Sequence, residues 1–492
     1  MSLFAEYDQY DATGLAELVR ERAVSATELV QTALARIDSR NPQLNAVVNR
    51  LDRAALAQAA SFDDRSAQHA TGAFAGVPFL IKDSGIQLSG ERTSNGSRFW
   101  TDHRAPHDST ITGRYRAAGL VILGFTNTAE NGLASETAPI VYGPTLNPWD
   151  PSRSAGGSSG GAAVAVAGGL VPVAHATDGG GSIRVPAANT GLFGLKPSRG
   201  RNPFGPDIGE GWNGLSVHHV ITRSVRDSAA LLDATHGAEP GDPYAAPAQK
   251  GRFVDALTRP LSPLRIALQT VGHDGTAVDP VVKAAAQDTA LLLRDLGHQV
   301  EEARPQIDLA AVKRATRIIV AANAANVLAT RGQHIGRAAT EADVEPITWL
   351  WAAEGRRHSA QELAWAVTTI HQLSRAFGRF FERYDVLLTP TLADPPLRLG
   401  TIDMQSTDLD AYFDTLYHHT IFTSVYNCAG LPAATVPLIW SNGLPIGVQI
   451  AGPLGAEARL LTVAGQLEAI RPWALKRPPL HESRLTDPAV AG

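Results

Sequence analysis

The apolar positions near the N-terminus repeat at helical spacing. Leu15, Leu18 and Val19 recur at i, i+3 and i+4, which places them on one face of an α-helix. A second helix is opened by Ser25-Ala26-Thr27-Glu28 in capping-box order ahead of Leu29, Ala33 and Ile37. Asn41-Pro42 marks its end, because the residue before a proline is disfavoured in the α region. A short strand is expected at 46–49 and a helix at 52–60. At 77–81 the pattern becomes an unbroken apolar run, VPFLI, the mark of a strand buried on both faces, with Lys82 at its end. A helix at 109–118, closed by Gly119, and a strand at 121–125 follow. Positions 162–176 begin as an Ala-rich helix and finish as a strand over 170–174. The alternation resumes with a helix at 224–236, a strand at 265–269, a helix at 280–296 and a strand at 298–301. Residues 308–383 are mostly helical, 384–391 form a strand, and 460–470 form a last helix. Such alternation predicts an α/β class built on a largely buried sheet.

The composition narrows the class further. The chain has 492 residues, 44% of them hydrophobic, enough to bury a large core. No linker or internal repeat divides it, so one large domain is expected. The net charge of −5 comes without a basic patch, which argues against a nucleic-acid partner. No apolar run is long enough to span a membrane, and the first residues show neither a basic nor an apolar leader segment. The single cysteine, Cys428, excludes an intrachain disulfide and fits a reducing compartment. A cytoplasmic protein is expected. The histidines are scattered, and the pairs His218-His219 and His418-His419 are adjacent rather than one turn apart. Neither a metal site nor another cofactor is expected.

The densest chemistry lies between 156 and 200. Two glycine clusters each hold serine, GGSSGG at 156–161 and GGGS at 179–182. Clusters of this kind bring backbone close to a ligand or turn N–H groups toward a charge. A flexible Gly/Ser linker fits poorly inside so apolar a chain. A phosphate loop fails for lack of a following Gly-Lys-Ser/Thr. GSSGG matches the G-x-S-x-G nucleophile elbow by letters, but a loop, NPWDPSR, stands where that elbow needs a strand. Asp178 and Arg184, six residues apart, can pair around the second cluster. Lys82 alone reads as a solvated strand-end lysine.

GVPFLIKD at 76–83, GGSSGG at 156–161, DGGGSIRVPA at 178–187 and GLFGLKPSRGR at 191–201 together resemble the signature of the amidase signature family. Segments 429–437 and 443–452 resemble its closing motifs. The resemblance implies one α/β domain whose central, mostly mixed β-sheet is covered by helices on both faces. Its signature core would run over about 70–225, a more variable helical portion over about 225–385, and a closing α/β segment over about 385–475. It implies a serine-dependent amide hydrolase with a Ser–cisSer–Lys triad. In that triad Ser182 is the nucleophile, Ser158 the proton relay after a cis peptide, and Lys82 the base. Backbone N–H groups of Gly179, Gly180 and Gly181 would form the oxyanion hole, with Asp178 and Arg184 as structural supports. The family usually carries a larger residue where this chain has Gly179, a departure that leaves room for substrate or for flexibility.

The ends LNPWD, RSVRDSAALLD and IRPWALKRP are similar to stand-alone members of the family that open cyclic amides. The expected partner is a small-molecule amide, with cyclic or linear oligoamides as one substrate class and a homodimer as the assembly. The alternative is the amidase (glutaminase) subunit of a tRNA-dependent amidotransferase complex. Tyr142, Trp212 and Cys428 are candidate pocket residues, with core packing as the rival reading. Trp349, Trp351 and Trp365 are read as helix-packing residues, with pocket lining as the alternative.

Overall fold

The computed structural model describes residues 3–64 and 72–479. One eleven-stranded sheet runs through them. Its strands are β1 (Val47–Arg50), β2 (Pro78–Lys82), β3 (Val121–Thr126), β4 (Val173–Asp178), β5 (Phe193–Lys196), β6 (Val217–Thr222), β7 (Arg265–Leu268), β8 (Gln299–Glu302), β9 (Val386–Pro390), β10 (Ala433–Ser441) and β11 (Leu444–Ala451). They lie in the order β1-β3-β2-β4-β6-β5-β10-β11-β9-β7-β8. β3, β2 and β4 are mutually parallel neighbours, and so are β9, β7 and β8. The strands between them pair antiparallel. The sheet is therefore mixed.

Side chains of successive strand residues point to opposite faces, and the cores follow that alternation. Ile266, Leu268, Val386 and Leu388 pack into a core shared with helices Pro280–Asp295 and Glu457–Ile470. Ala267 and Leu387 pack into another, shared with helices Leu309–Ile335, Pro346–Gly355 and Ala360–Phe380. Helices thus cover both faces. Among the described residues no helix is long and apolar enough to cross a membrane.

Most expected elements are present. The Ser25 capping box forms, with Ser25 Oγ accepting from the Glu28 N–H at 3.1 Å and Glu28 Oε2 accepting from the Ser25 N–H at 2.9 Å. Pro42 does not end that helix, which runs over Ala26–Leu44. The stop comes at Asn45, in a left-handed conformation with φ 49°, where Asn41 Oδ1 takes up the N–H groups of Ala46 and Val47 at 2.8 Å each. The strand expected at 170–174 starts later, at Val173. Gly169, with φ 69°, turns the chain directly after helix Gly160–Ala167, and the turn uses up residues 168–172.

Candidate active site

β2 and β4 run side by side and parallel, so Lys82 and Asp178 end neighbouring strands at the same edge of the sheet. Crevices outside the carboxyl ends of parallel strands are the usual ligand sites of open α/β sheets. The first glycine cluster closes over this edge. The Gly157–Ser158 peptide is cis. The Thr137 hydroxyl bridges the loop, donating to the carbonyls of Gly156 at 3.0 Å and Ser158 at 3.2 Å and accepting from the Gly160 N–H at 3.0 Å. Gly161 has no alternative, since a Cβ there would meet the Asn127 N at 2.4 Å.

Lys82 is buried, and its Nζ lies 2.7 Å from Ser158 Oγ and 2.8 Å from Thr177 Oγ1. Burial disfavours the ammonium and draws its pKa from 10.5 down to about 7, although the nearby Asp178 carboxylate acts the other way. Thr177, which sequence reasoning missed, is the second hydroxyl holding the amine. It sits on β4 one residue before the aspartate that anchors the next turn.

That turn is held as the sequence suggested. Asp178 and Arg184 are fully buried and joined at 2.9 Å. Burial alone would raise the Asp178 carboxyl, but the Arg184 guanidinium outweighs it and holds it at about 2. Two further supports come from far along the chain. Asn427 donates to Asp178 Oδ1 at 2.8 Å, and Gln449 accepts from Arg184 Nη1 at 2.8 Å. Neither has a local signal, because both arrive through the packing of the closing segment.

The three glycines before Ser182 are not equivalent. The Gly181 N–H donates to Asp178 Oδ1 at 2.8 Å, so the support already occupies it. Among the described residues, no backbone acceptor takes the N–H of Gly179, Gly180 or Ser182. Gly179 departs from the usual larger residue for a steric reason. A Cβ there would meet the Trp212 ring at 3.0 Å. Trp212, itself at φ 57°, fills the space instead.

Two cavities meet at Ser182 and Gly179. The larger, about 960 Å³, is walled by Lys82, Ser158, Thr177, Ser182, Trp212 and His218 among others. The smaller, about 80 Å³ and mostly apolar, is walled by Gly180, Gly181, Ser182, Trp351, Phe413 and Tyr417 among others. Trp212 stands in both walls. Tyr142 and Cys428 stand in neither. The Tyr142 hydroxyl is turned away to donate to Ser94 Oγ at 3.0 Å. Cys428 is buried on helix Ser424–Ala429 behind Thr316, whose hydroxyl lies 3.3 Å from its Sγ. The tryptophans divide as well. Trp351 lines the small cavity and packs edge-on to Phe413, whereas Trp349 and Trp365 lie under Arg356 and Arg314.

Lysine, serine and a turn of free N–H groups at one cavity are the parts of an acyl-transfer site. A family model described as Amidase matches residues 28–461. The chain belongs to the amidase signature family and is a serine amide hydrolase acting on C–N bonds. It is 37% identical to 6-aminohexanoate-cyclic-dimer hydrolase of Paenarthrobacter ureafaciens, over 98% of each chain. A solved structure of 6-aminohexanoate cyclic dimer hydrolase superposes with a TM-score of 0.89 at 35% identity, covering 96% of this chain and 99% of the other. A bacterial aryl acylamidase superposes with a TM-score of 0.88 at 29% identity, with the same coverage.

Proposed function

We propose that Ser182, Ser158 and Lys82 form the catalytic triad and that the two cavities divide the substrate at the scissile bond. The observation that carries this reading is the 2.7 Å contact between Lys82 Nζ and Ser158 Oγ in the wall of the cavity that also holds Ser182. A serine hydroxyl needs a base to attack at neutral pH. With its pKa near 7, Lys82 supplies a free lone pair over much of the neutral range. Ser182 Oγ attacks the amide carbonyl while its proton passes to Ser158 and the Ser158 proton passes to Lys82 Nζ. The oxyanion is met by the N–H groups of Gly179 and Gly180, each such donor being worth about 3 kcal/mol. The C–N bond then breaks as the proton returns from Lys82 through Ser158 to the leaving nitrogen. Water repeats the sequence on the Ser182 ester and releases the acid.

Ser158 and Lys82 must reach the leaving nitrogen, and both stand in the wall of the large cavity. The amine arm therefore occupies the large cavity and the acyl arm enters the small apolar one. A volume of about 960 Å³ accommodates an oligoamide, and together with the likeness to a cyclic-dimer hydrolase this supports cyclic or linear oligoamides of aminohexanoate type as substrates. The amidotransferase-subunit reading is not favoured, because the relatives matched over nearly the whole chain are a cyclic-dimer hydrolase and an acylamidase.

The test is intact mass after incubation with a fluorophosphonate, with the modified peptide mapped. A single adduct on Ser182 is expected, absent in Ser182→Ala, which should also lose at least about 10⁴-fold in turnover of aminohexanoate amides. An adduct on another serine would overturn the assignment.

A further inference from the structure

We infer that His218 presents a fixed hydrogen-bond donor, its Nε2–H, to a carbonyl acceptor on the amine arm of the substrate. The argument is a count of protons along a chain that begins at the catalytic lysine. The backbone N–H of Lys82 donates to His175 Nδ1 at 3.3 Å. A backbone N–H can only donate, so His175 Nδ1 carries no proton. Both rings are buried and neutral. Burial, followed by neighbouring charges, holds His175 well below its ordinary value, and burial with the nearby Lys82 draws His218 down to about 3. A neutral His175 without a proton on Nδ1 carries it on Nε2, which lies 3.1 Å from His218 Nδ1. His218 Nδ1 is therefore the acceptor, and the His218 proton resides on Nε2.

That nitrogen makes no hydrogen bond with any described residue, although His218 is 1% exposed and stands in the wall of the large cavity. The ring cannot turn to hide the donor. It is stacked on His175 at 5.3 Å and held by Phe204 at 4.4 Å, and its carbonyl accepts from Asn202 Nδ2 at 2.7 Å. A buried donor left unpaired is costly, and a substrate carbonyl in the cavity would satisfy it. His218 is also cross-strand from Thr177, the lysine's second partner, so the donor lies on the amine side of the site. The same proton count bars His218 from acting as a base, because the only nitrogen free to face the cavity already bears its hydrogen. The arm assigned here rests on the acyl-transfer reading above.

The experiment compares three amides: butyric hexylamide, the same compound with a terminal carboxamide on the amine chain, and the same with a terminal carboxamide on the acyl chain. His218→Phe keeps the ring packing and removes the donor. The kcat/KM ratio of the amine-chain carboxamide to the plain amide should fall about tenfold, carried by KM, with His218→Gln recovering part of it. No selective fall, or a fall on the acyl-chain carboxamide alone, would overturn the inference. Imidazole ¹⁵N spectra of the unsubstituted enzyme give a reading that needs no variant and no turnover. His218 should appear as the Nε2–H tautomer, with Nε2 shifting on addition of aminohexanamide but not of hexylamine. An Nδ1–H tautomer, or equal shifts with both amines, would equally refute it. An enzyme that forms no adduct at Ser182 yet shows the selective shift would sink the triad and leave His218 standing.

Discussion

Two lysines end strands of the central sheet, Lys82 on β2 and Lys196 on β5. Both are fully buried, and burial draws both to a pKa of about 7. Both also feel the Asp178 carboxylate, which favours their charged forms. By desolvation alone they are the same residue. They differ in what the amine touches. Lys82 Nζ meets two hydroxyls, one of them at a cavity next to a second serine. Lys196 Nζ donates to the carbonyl of Pro197 at 2.8 Å and stands in the wall of neither cavity. A depressed pKa makes a lysine neutral; it does not make it a base. For that the lone pair needs a proton donor to deprotonate and a space in which the product of that transfer can react.

The comparison breaks most visibly at Lys82. Lys82→Met should lower turnover by about 10³-fold or more, as expected for loss of a positioned general base, and should suppress the fluorophosphonate adduct at Ser182. In the unsubstituted enzyme kcat/KM should fall about tenfold for each pH unit below 7 and level off above it, since the neutral amine is the active form. A rate independent of pH across that range would mean that another group takes the proton.

A second variant acts on both lysines at once. Asp178→Asn removes the anion that favours both ammonium forms, so the pH midpoint of activity should move downward. It also leaves Arg184 charged, buried and uncompensated. Breaking a buried pair in this way costs about 3–5 kcal/mol, readable by denaturant titration. A loss below about 1 kcal/mol would mean that the remaining Arg184 partners, Thr423, Asn427 and Gln449, carry the turn without the carboxylate.

Lys82 was visible in the sequence because an unbroken apolar run leads straight into it, and the pairing of Asp178 with Arg184 because six residues of chain bring them round one turn. β6 was not visible. Its sequence, VHHVIT, interrupts an apolar strand with two adjacent histidines, a pattern that reads as neither alternating nor buried. The contact between His175 and His218 depends on the antiparallel register of β4 and β6, which no local spacing encodes. Trp212 could be named but not placed, since its fit over Gly179 needs the 202–213 loop folded back on the sheet. Cys428 was misplaced for a related reason. A small apolar residue near a closing motif faces either a cavity or a core, and only the packing of Thr316 against it decides which.

The smallest effect belongs to Lys196, and it tests whether the two lysines share their electrostatics while differing in chemistry. Lys196→Met leaves the Pro197 carbonyl without its donor, a cost of about 1–3 kcal/mol that the apolar replacement partly offsets. Activity should stay within about threefold of the parent, since no transition-state contact is lost. The shared property lies in stability against pH. An unfolded lysine titrates near 10.5, and each folded one near 7. Between those values the unfolded chain holds more protons, so stability rises with pH across that window. Each methionine variant removes one lysine's share of the slope. Melting temperatures measured from neutral to alkaline pH should therefore rise less steeply in Lys82→Met and in Lys196→Met, by similar amounts, while only the first loses turnover. A Lys196→Met enzyme as inactive as Lys82→Met would place the second lysine in the proton path and remove the distinction between the two.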